Sequence, residues 1–302
     1  MKSAVLYLTL LVIALAPLNI AQACIENFQW SPQRFWSINL QLSLIQESIA
    51  TTPPQLYEKH YKDVKTSEEF FQEKEKSAMK ELLTGDVQKA LTLFLDLENS
   101  NREYASAANL GTAYELNGDN QNALKWIKEG VKRNPNSHHK TEWLHVLILE
   151  AKINLEKNPD YYNGKRVLEL ADTLPAKEND VFFTYNGQNF NRFEVEMALA
   201  YQLFERTVFV KPKDLIVADL LFSLSRISAH KNDFKTAFGF LDLSKEYGFK
   251  DEQIWQETFS DYQDRKYTTE ILIPRAQAGF VILVTLFIIV MVWRDRKKRT
   301  AQ

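Results

Sequence analysis

A single cysteine, Cys24, stands among the 302 residues, so no internal disulfide can form and the fold must be held by packing. Glycine is scarce: there are nine, where about 7% of residues is usual. A shortage of the residue most costly inside helices favours a helix-rich chain and leaves no Gly-rich phosphate cradle. G-x-S-x-G, H-E-x-x-H, C-x-x-C, Walker and G-x-G-x-x-G patterns are all missing, which removes the usual nucleophile, zinc, redox and nucleotide devices. Glu194 and Glu196 are two apart and point different ways on a helix, so they make no carboxylate dyad. His138, His139 and His145 have no cysteine beside them and follow Pro135; they read as a solvated helix start rather than as metal ligands. No catalytic, cofactor-binding or metal-ligating residue is assigned, and the expectation is a protein that is not an enzyme. The absence of any Asn-x-Ser/Thr acceptor favours a bacterial envelope over a glycosylating pathway.

What is present begins with two apolar stretches, one near each end. Ala4 to Ile20 follow Lys2 and lead into Ala21-Gln22-Ala23, small residues at the two positions a signal peptidase reads; residues 1–23 are expected to be a secretory signal. Cys24 at the new terminus admits lipidation, although Ala21 and Gln22 stand where lipoproteins prefer Leu and a small residue. Ala276 to Trp293 carry no charge and are apolar on every face, long enough as a helix of about 27 Å to span a bilayer. Arg294, Arg296, Lys297, Lys298 and Arg299 follow the span against Arg275 alone before it, so residues 294–302 are expected to be a basic cytoplasmic tail. An uncleaved first anchor would leave this orientation unchanged. The expected location is the bacterial inner membrane, crossed once, with the N-terminal body in the periplasm. Residues 24–274 keep 30 basic and 38 acidic side chains, a formal charge of −8 that disfavours nucleic acid as a partner.

The body contains a repeat. Ala107, Leu110, Gly111, Tyr114, Gly118, Ala123, Ile127, Gly130 and Pro135 alternate small and large residues as a two-helix unit does. Gly111 and Ala123 would be small where the helices cross, Gly118 would permit the turn and Pro135 would stop the second helix. Gly85, Ala90 and Phe94 precede Gly118, Ala123 and Ile127 by 33 residues, and Leu224, Ser225, Asn232, Ala237 and Leu241 return at the same internal offsets. This spacing resembles the tetratricopeptide repeat family, whose W-x2-L-G-x2-Y…A-x3-F…P pattern is met except at the Trp and Phe positions, held by Ala107 and Ile127. The resemblance is specific over 68–136 and 214–248 and rests on spacing alone over 137–213. It implies an all-α, tetratricopeptide-like α-solenoid of helical hairpins over 67–270. Trp143 to Ile153, Val167 to Ala171, Phe193 to Val208 and Val217 to Ile227 are expected as further helices, and the 276–293 span as one transmembrane helix.

Two segments break the pattern. Leu174 to Phe190, with Val181-Phe182-Phe183-Thr184-Tyr185 before Asn186-Gly187, reads as a small β-hairpin or ordered loop. Its aromatics would either cap neighbouring helices or form a recognition surface. In 24–66, Phe28, Trp30, Phe35 and Trp36 are dense, Ile38, Leu40, Leu42 and Leu44 alternate as in a strand, and Pro53-Pro54 breaks the run; a packed N-terminal cap is expected. The resemblance further implies a protein or peptide partner along the concave face of the first helices, where Ala105, Ala108, Asn109, Thr112 and Glu115 would project. Chaperone-binding members clamp a terminal carboxylate with Lys and Asn; Ala108 and Thr112 stand there instead, and that ligand is not implied. The expected function is a membrane-tethered scaffold or adaptor outside the cytoplasm. The alternatives are an envelope enzyme with its site in 24–66 or 174–192, and a purely structural spacer.

Overall fold

The computed structural model describes residues 38–60, 69–171, 173–175, 177 and 180–299. The signal segment, Cys24 and the Phe28–Trp36 aromatics lie outside the described residues. Among those described, the chain is mostly helical, with one two-stranded sheet. Helices α1 (Ile38–Ala50) and α2 (Pro53–His60) precede α3 (Glu69–Thr84), α4 (Val87–Ser100), α5 (Tyr104–Leu116), α6 (Asn120–Arg133) and α7 (Glu142–Lys157). After an irregular stretch come strands β1 (Phe183–Tyr185) and β2 (Gln188–Phe190), then α8 (Arg192–Phe209), α9 (Leu215–His230), α10 (Phe234–Tyr247), α11 (Glu252–Tyr267) and α12 (Ile273–Arg299).

Three hairpins, α3–α4, α5–α6 and α9–α10, share one turn. Gly85, Gly118 and Asn232 occupy it with φ of 102°, 81° and 62°, the left-handed region that glycine enters freely and asparagine tolerates. An aspartate follows each: Asp86, Asp119 and Asp233 cap the next helix by accepting from Lys89, Asn122 and Thr236 N–H. The N–H of each aspartate also donates back to the carbonyl five residues earlier, on Glu81, Tyr114 and Ser228, closing the preceding helix. At the α5–α6 crossing, a Cβ added to Gly111 would lie 2.8 Å from Ile127 Cδ1 and 3.0 Å from Ile127 N, so only glycine allows this approach. Ala90, Ala123 and Ala237, at the repeated small position, are fully buried. Between successive hairpins, Arg133 reaches from α6 to Glu98 on α4 with a two-pronged contact of 2.7 and 2.9 Å.

The fold departs from the sequence expectation at two segments and agrees with it at two others. Ile38 to Leu44 form helix α1, not a strand: the buried side chains are Gln41, Leu44, Ile45 and Ser48, spaced for one helical face. Pro53-Pro54 break the run, α1 ending at Ala50, and they also open α2, because proline is tolerated where the N–H has no helical partner. Val167 to Ala171 are not helical. Val167, Leu168 and Leu170 are buried, but Asp219, Arg226 and His230 of α9 engage the backbone of this segment and of the residues after it, bonding Val167 N–H, Ala171 O and Pro175 O. The hairpin does form, with Phe183 opposite Phe190 and Asn186-Gly187 at positive φ in the turn. Its aromatic face packs on α7, Phe190 stacking on Trp143 at 4.3 Å between centroids.

Helix α8 is the centre of the body, with every residue from Val195 to Val208 buried. It packs against α1, α2, α7 and α9. Lys211, just beyond α8, donates to Ile49, Thr51 and Thr207 carbonyls at 2.7–2.9 Å and so ties the last turn of α1 to it. At the far end α11 packs on α10 through Trp255, whose indole N–H donates to Leu241 O at 3.0 Å, and through Tyr262, 3.1 Å from Ser225 Oγ. A π-turn at Thr268–Leu272 carries α11 into α12 without a break, giving a continuous helix from Glu252 to Trp293. Its apolar part is long enough to cross a membrane and none of it is buried against the body.

Candidate functional site

The face of α5 singled out by the repeat spacing is closed. Asn109, Thr112 and Glu115 have no exposed surface, Ala108 is 4% exposed, and only Ala105 is half-buried. Asn109 donates to Glu75 of α3 at 3.0 Å. Arg206 of α8, itself fully buried, reaches this face and donates to Glu115 Oε1 at 2.7 Å. The place where an outside segment was expected to lie is therefore buried within the chain itself.

Glu115 anchors a chain of charges running through this interior. Lys152 of α7 donates to the same Oε1 at 3.0 Å, and His145 Nε2 meets Oε2 at 2.8 Å. On its other side His145 Nδ1 lies 3.4 Å from Glu142 Oε2, and Glu142 Oε1 meets His138 Nδ1 at 2.5 Å. The His138 ring then sits between Tyr104 of α5 and Tyr201 of α8, at 5.9 and 5.5 Å. Burial by itself would raise the Glu115 carboxyl, but Arg206, Lys152 and His145 outweigh it and hold the group well below the ordinary carboxylate range. Glu142 is lowered in the same sense by His138 and His145. Burial would depress His145, yet its bonds to Glu115 and Glu142 raise it, favouring the imidazolium.

His138 and His145 are thus not a solvated helix start, whereas His139 is exposed. His145 is buried between two carboxylates and His138 against one; Glu142 and His145, three apart, share a face of α7, while His138 precedes the helix in a turn of positive φ. Arg206 and Lys152, which complete the network, carried no local signal, since nothing near them in sequence indicates that they turn inward. What the arrangement does chemically is to pair charges across α5, α7 and α8 where Glu115, His145 and Arg206 have no exposed side-chain surface. Among the described residues no cluster of His, Cys, Asp or Glu has the form of a metal site.

Open clefts lie elsewhere, along α9 and α11. One of about 530 Å³ runs between α11 and the 173–174 segment, past Arg226, His230, Glu257, Asp261 and Arg265. Another, of about 330 Å³, lies between the 162–167 loop and the first turns of α9 and α11. Comparison with protein-family models, with curated proteins and with solved structures finds no match to this chain.

Proposed function

We propose that this protein is a membrane-tethered, non-catalytic adaptor whose tetratricopeptide-like helical body is displayed outside the cytoplasm of a bacterial cell beside the inner membrane. The carrying observation is the continuity of α11 with the apolar helix. Tyr262 is the last residue on that helix buried in the body, and the apolar stretch begins at Ala276; at 1.5 Å per residue the body stands about 20 Å from the bilayer. Tethering of this kind raises the effective concentration of any partner in the same membrane. The excess of Arg and Lys after the span supports a cytoplasmic tail and an exported body.

With the α5 face buried inside the body, the partner surface moves to the open groove along α11, the helix that enters the membrane. A protein anchored in the same bilayer would approach that helix first. Photo-crosslinkers at Glu257 and Asp261, compared with one at Thr112, test the assignment in intact membranes. Capture of a defined membrane protein from 257 and 261 but not from 112 is expected; capture only from 112, or none at all, would sink it. Protease added to spheroplasts is expected to digest the body and spare the last residues.

A further inference from the structure

The smaller cleft is built differently from the charged interior. Asp219, on the second turn of α9, is 10% exposed at its side chain and lines the cleft. Its Oδ2 accepts Val167 N–H at 2.6 Å. Its Oδ1 has only Arg166 Nε, at 3.6 Å, beyond hydrogen-bond range. The Arg166 guanidinium carbon lies beside the stacked Phe249 and Phe222 rings, 4.8 and 5.2 Å from their centroids, and one nitrogen donates to Lys165 O at 3.3 Å. Among the described residues no donor engages Asp219 Oδ1 and no acceptor engages Arg166 Nη2. Asp219 and Arg166 thus line the same small space, with Tyr162 and Phe249 in its walls.

We propose that this cleft binds a neutral, polyhydroxylated ligand of the saccharide class. Charge selects for neutrality: Lys165, Arg166 and Lys250 balance Asp219, Asp251 and Glu252 around the lining, so neither an anion nor a cation gains from entering. Hydroxyl groups supply both missing partners, donating to Asp219 and accepting from Arg166, and the apolar face of a sugar ring packs on an aromatic wall. The volume is at the small end of ligand pockets and fits one or two rings rather than a folded partner. Burial pushes the Asp219 carboxyl up to about 7 against the opposing effects of Val167 N–H and Arg166, which lets it serve hydroxyls as donor or acceptor near neutrality. The site is independent of the adaptor reading, since it shares no lining residue with the α11 groove.

The test is saturation-transfer NMR on the full chain in phosphatidylcholine nanodiscs, with no sugar-based detergent present. Diacetylchitobiose and maltose are the neutral probes, lysine methyl ester the cationic one and propionate the anionic one. At least one disaccharide is expected to bind, and Asp219→Leu and Tyr162→Ala are each expected to weaken it by about tenfold or more, as loss of a polar anchor or an aromatic wall does. Thermal unfolding shows which variants are folded, and Tyr162→Ala decides alone if Asp219→Leu is not. No saccharide signal, a signal unchanged in the folded variants, or a preference for either charged probe would overturn the proposal.

Discussion

Arg206 and Glu115 lie 91 positions apart in sequence and have no exposed side-chain surface. Removing one member of such a pair leaves a buried charge, which costs about 3–5 kcal/mol, whereas replacing both with apolar groups is often neutral. Here Lys152 and His145 stay beside Glu115, so Arg206→Leu is expected at the lower end of that range, and Arg206→Leu with Glu115→Leu is expected to recover part of the loss. Urea unfolding of both singles and the double reads the coupling; strict additivity would mean that the contact does not bind α8 to α5. The same network predicts a pH optimum. His145 is raised above 6.5 in the fold, so its contribution is complete below pH 6.5 and fades as pH rises through its folded value. Glu115 and Glu142 are lowered from 4.5, so theirs is complete above pH 4.5 and fades as pH falls towards their folded values. Stability from this network therefore peaks between those limits. His145→Gln is expected to flatten the alkaline side of a plot of urea midpoint against pH and to reduce the acid side without abolishing it, since Arg206, Lys152 and His138 still hold the carboxyls down; an unchanged alkaline slope would refute the assignment.

At the scale of elements, the α5–α6 hairpin and its α3–α4 neighbour separate two kinds of glycine. Gly111 sits in an ordinary helical conformation and is required by the closeness of Ile127, whereas a Cβ at Gly85 would meet nothing within 4 Å and glycine is required there only by its φ of 102°. Gly111→Ala is expected to cost about 1–3 kcal/mol through displaced packing, and Gly85→Ala about 1 kcal/mol through backbone strain. A melting temperature that fell no further for Gly111→Ala than for Gly85→Ala would contradict the close crossing. Gly111, Gly118 and Asn186-Gly187 were legible in the sequence because a turn or a tight crossing selects its residues locally. Val167 to Ala171 and Ile38 to Leu44 were not, because a run of apolar residues states that burial occurs without stating the backbone conformation that achieves it. The closed α5 face was illegible for a related reason. Glu196, Gln202, Glu205 and Arg206 give α8 the look of a helix with a wet side, and only tertiary partners turn that side inward.

For the molecule as a whole, the question is which part of the long terminal helix belongs to the fold. Trp255 and Tyr262 of α11 are buried against Leu241, Phe234 and Phe222, while Phe280 to Trp293 of α12 are exposed along their length. A chain ended after Tyr267 should therefore unfold at a urea midpoint close to that of the full chain, since the part removed makes no contact that the body uses. Ending it after Lys250 removes both aromatics and uncovers a cluster that includes Phe222, Phe234 and Leu241; each lost aromatic costs about 3–5 kcal/mol, a large share of the about 5–15 kcal/mol a domain possesses. That second chain is expected to be unfolded or to melt far lower, and the contrast places the boundary between body and anchor inside one unbroken helix. It follows that a force or tilt imposed on the span is delivered straight to the α10–α11 packing, with only the π-turn at Thr268–Leu272 between them. If instead the chain ended after Tyr267 lost several kcal/mol, α12 would have to touch the body, and the membrane-held geometry argued from its bare surface would be wrong.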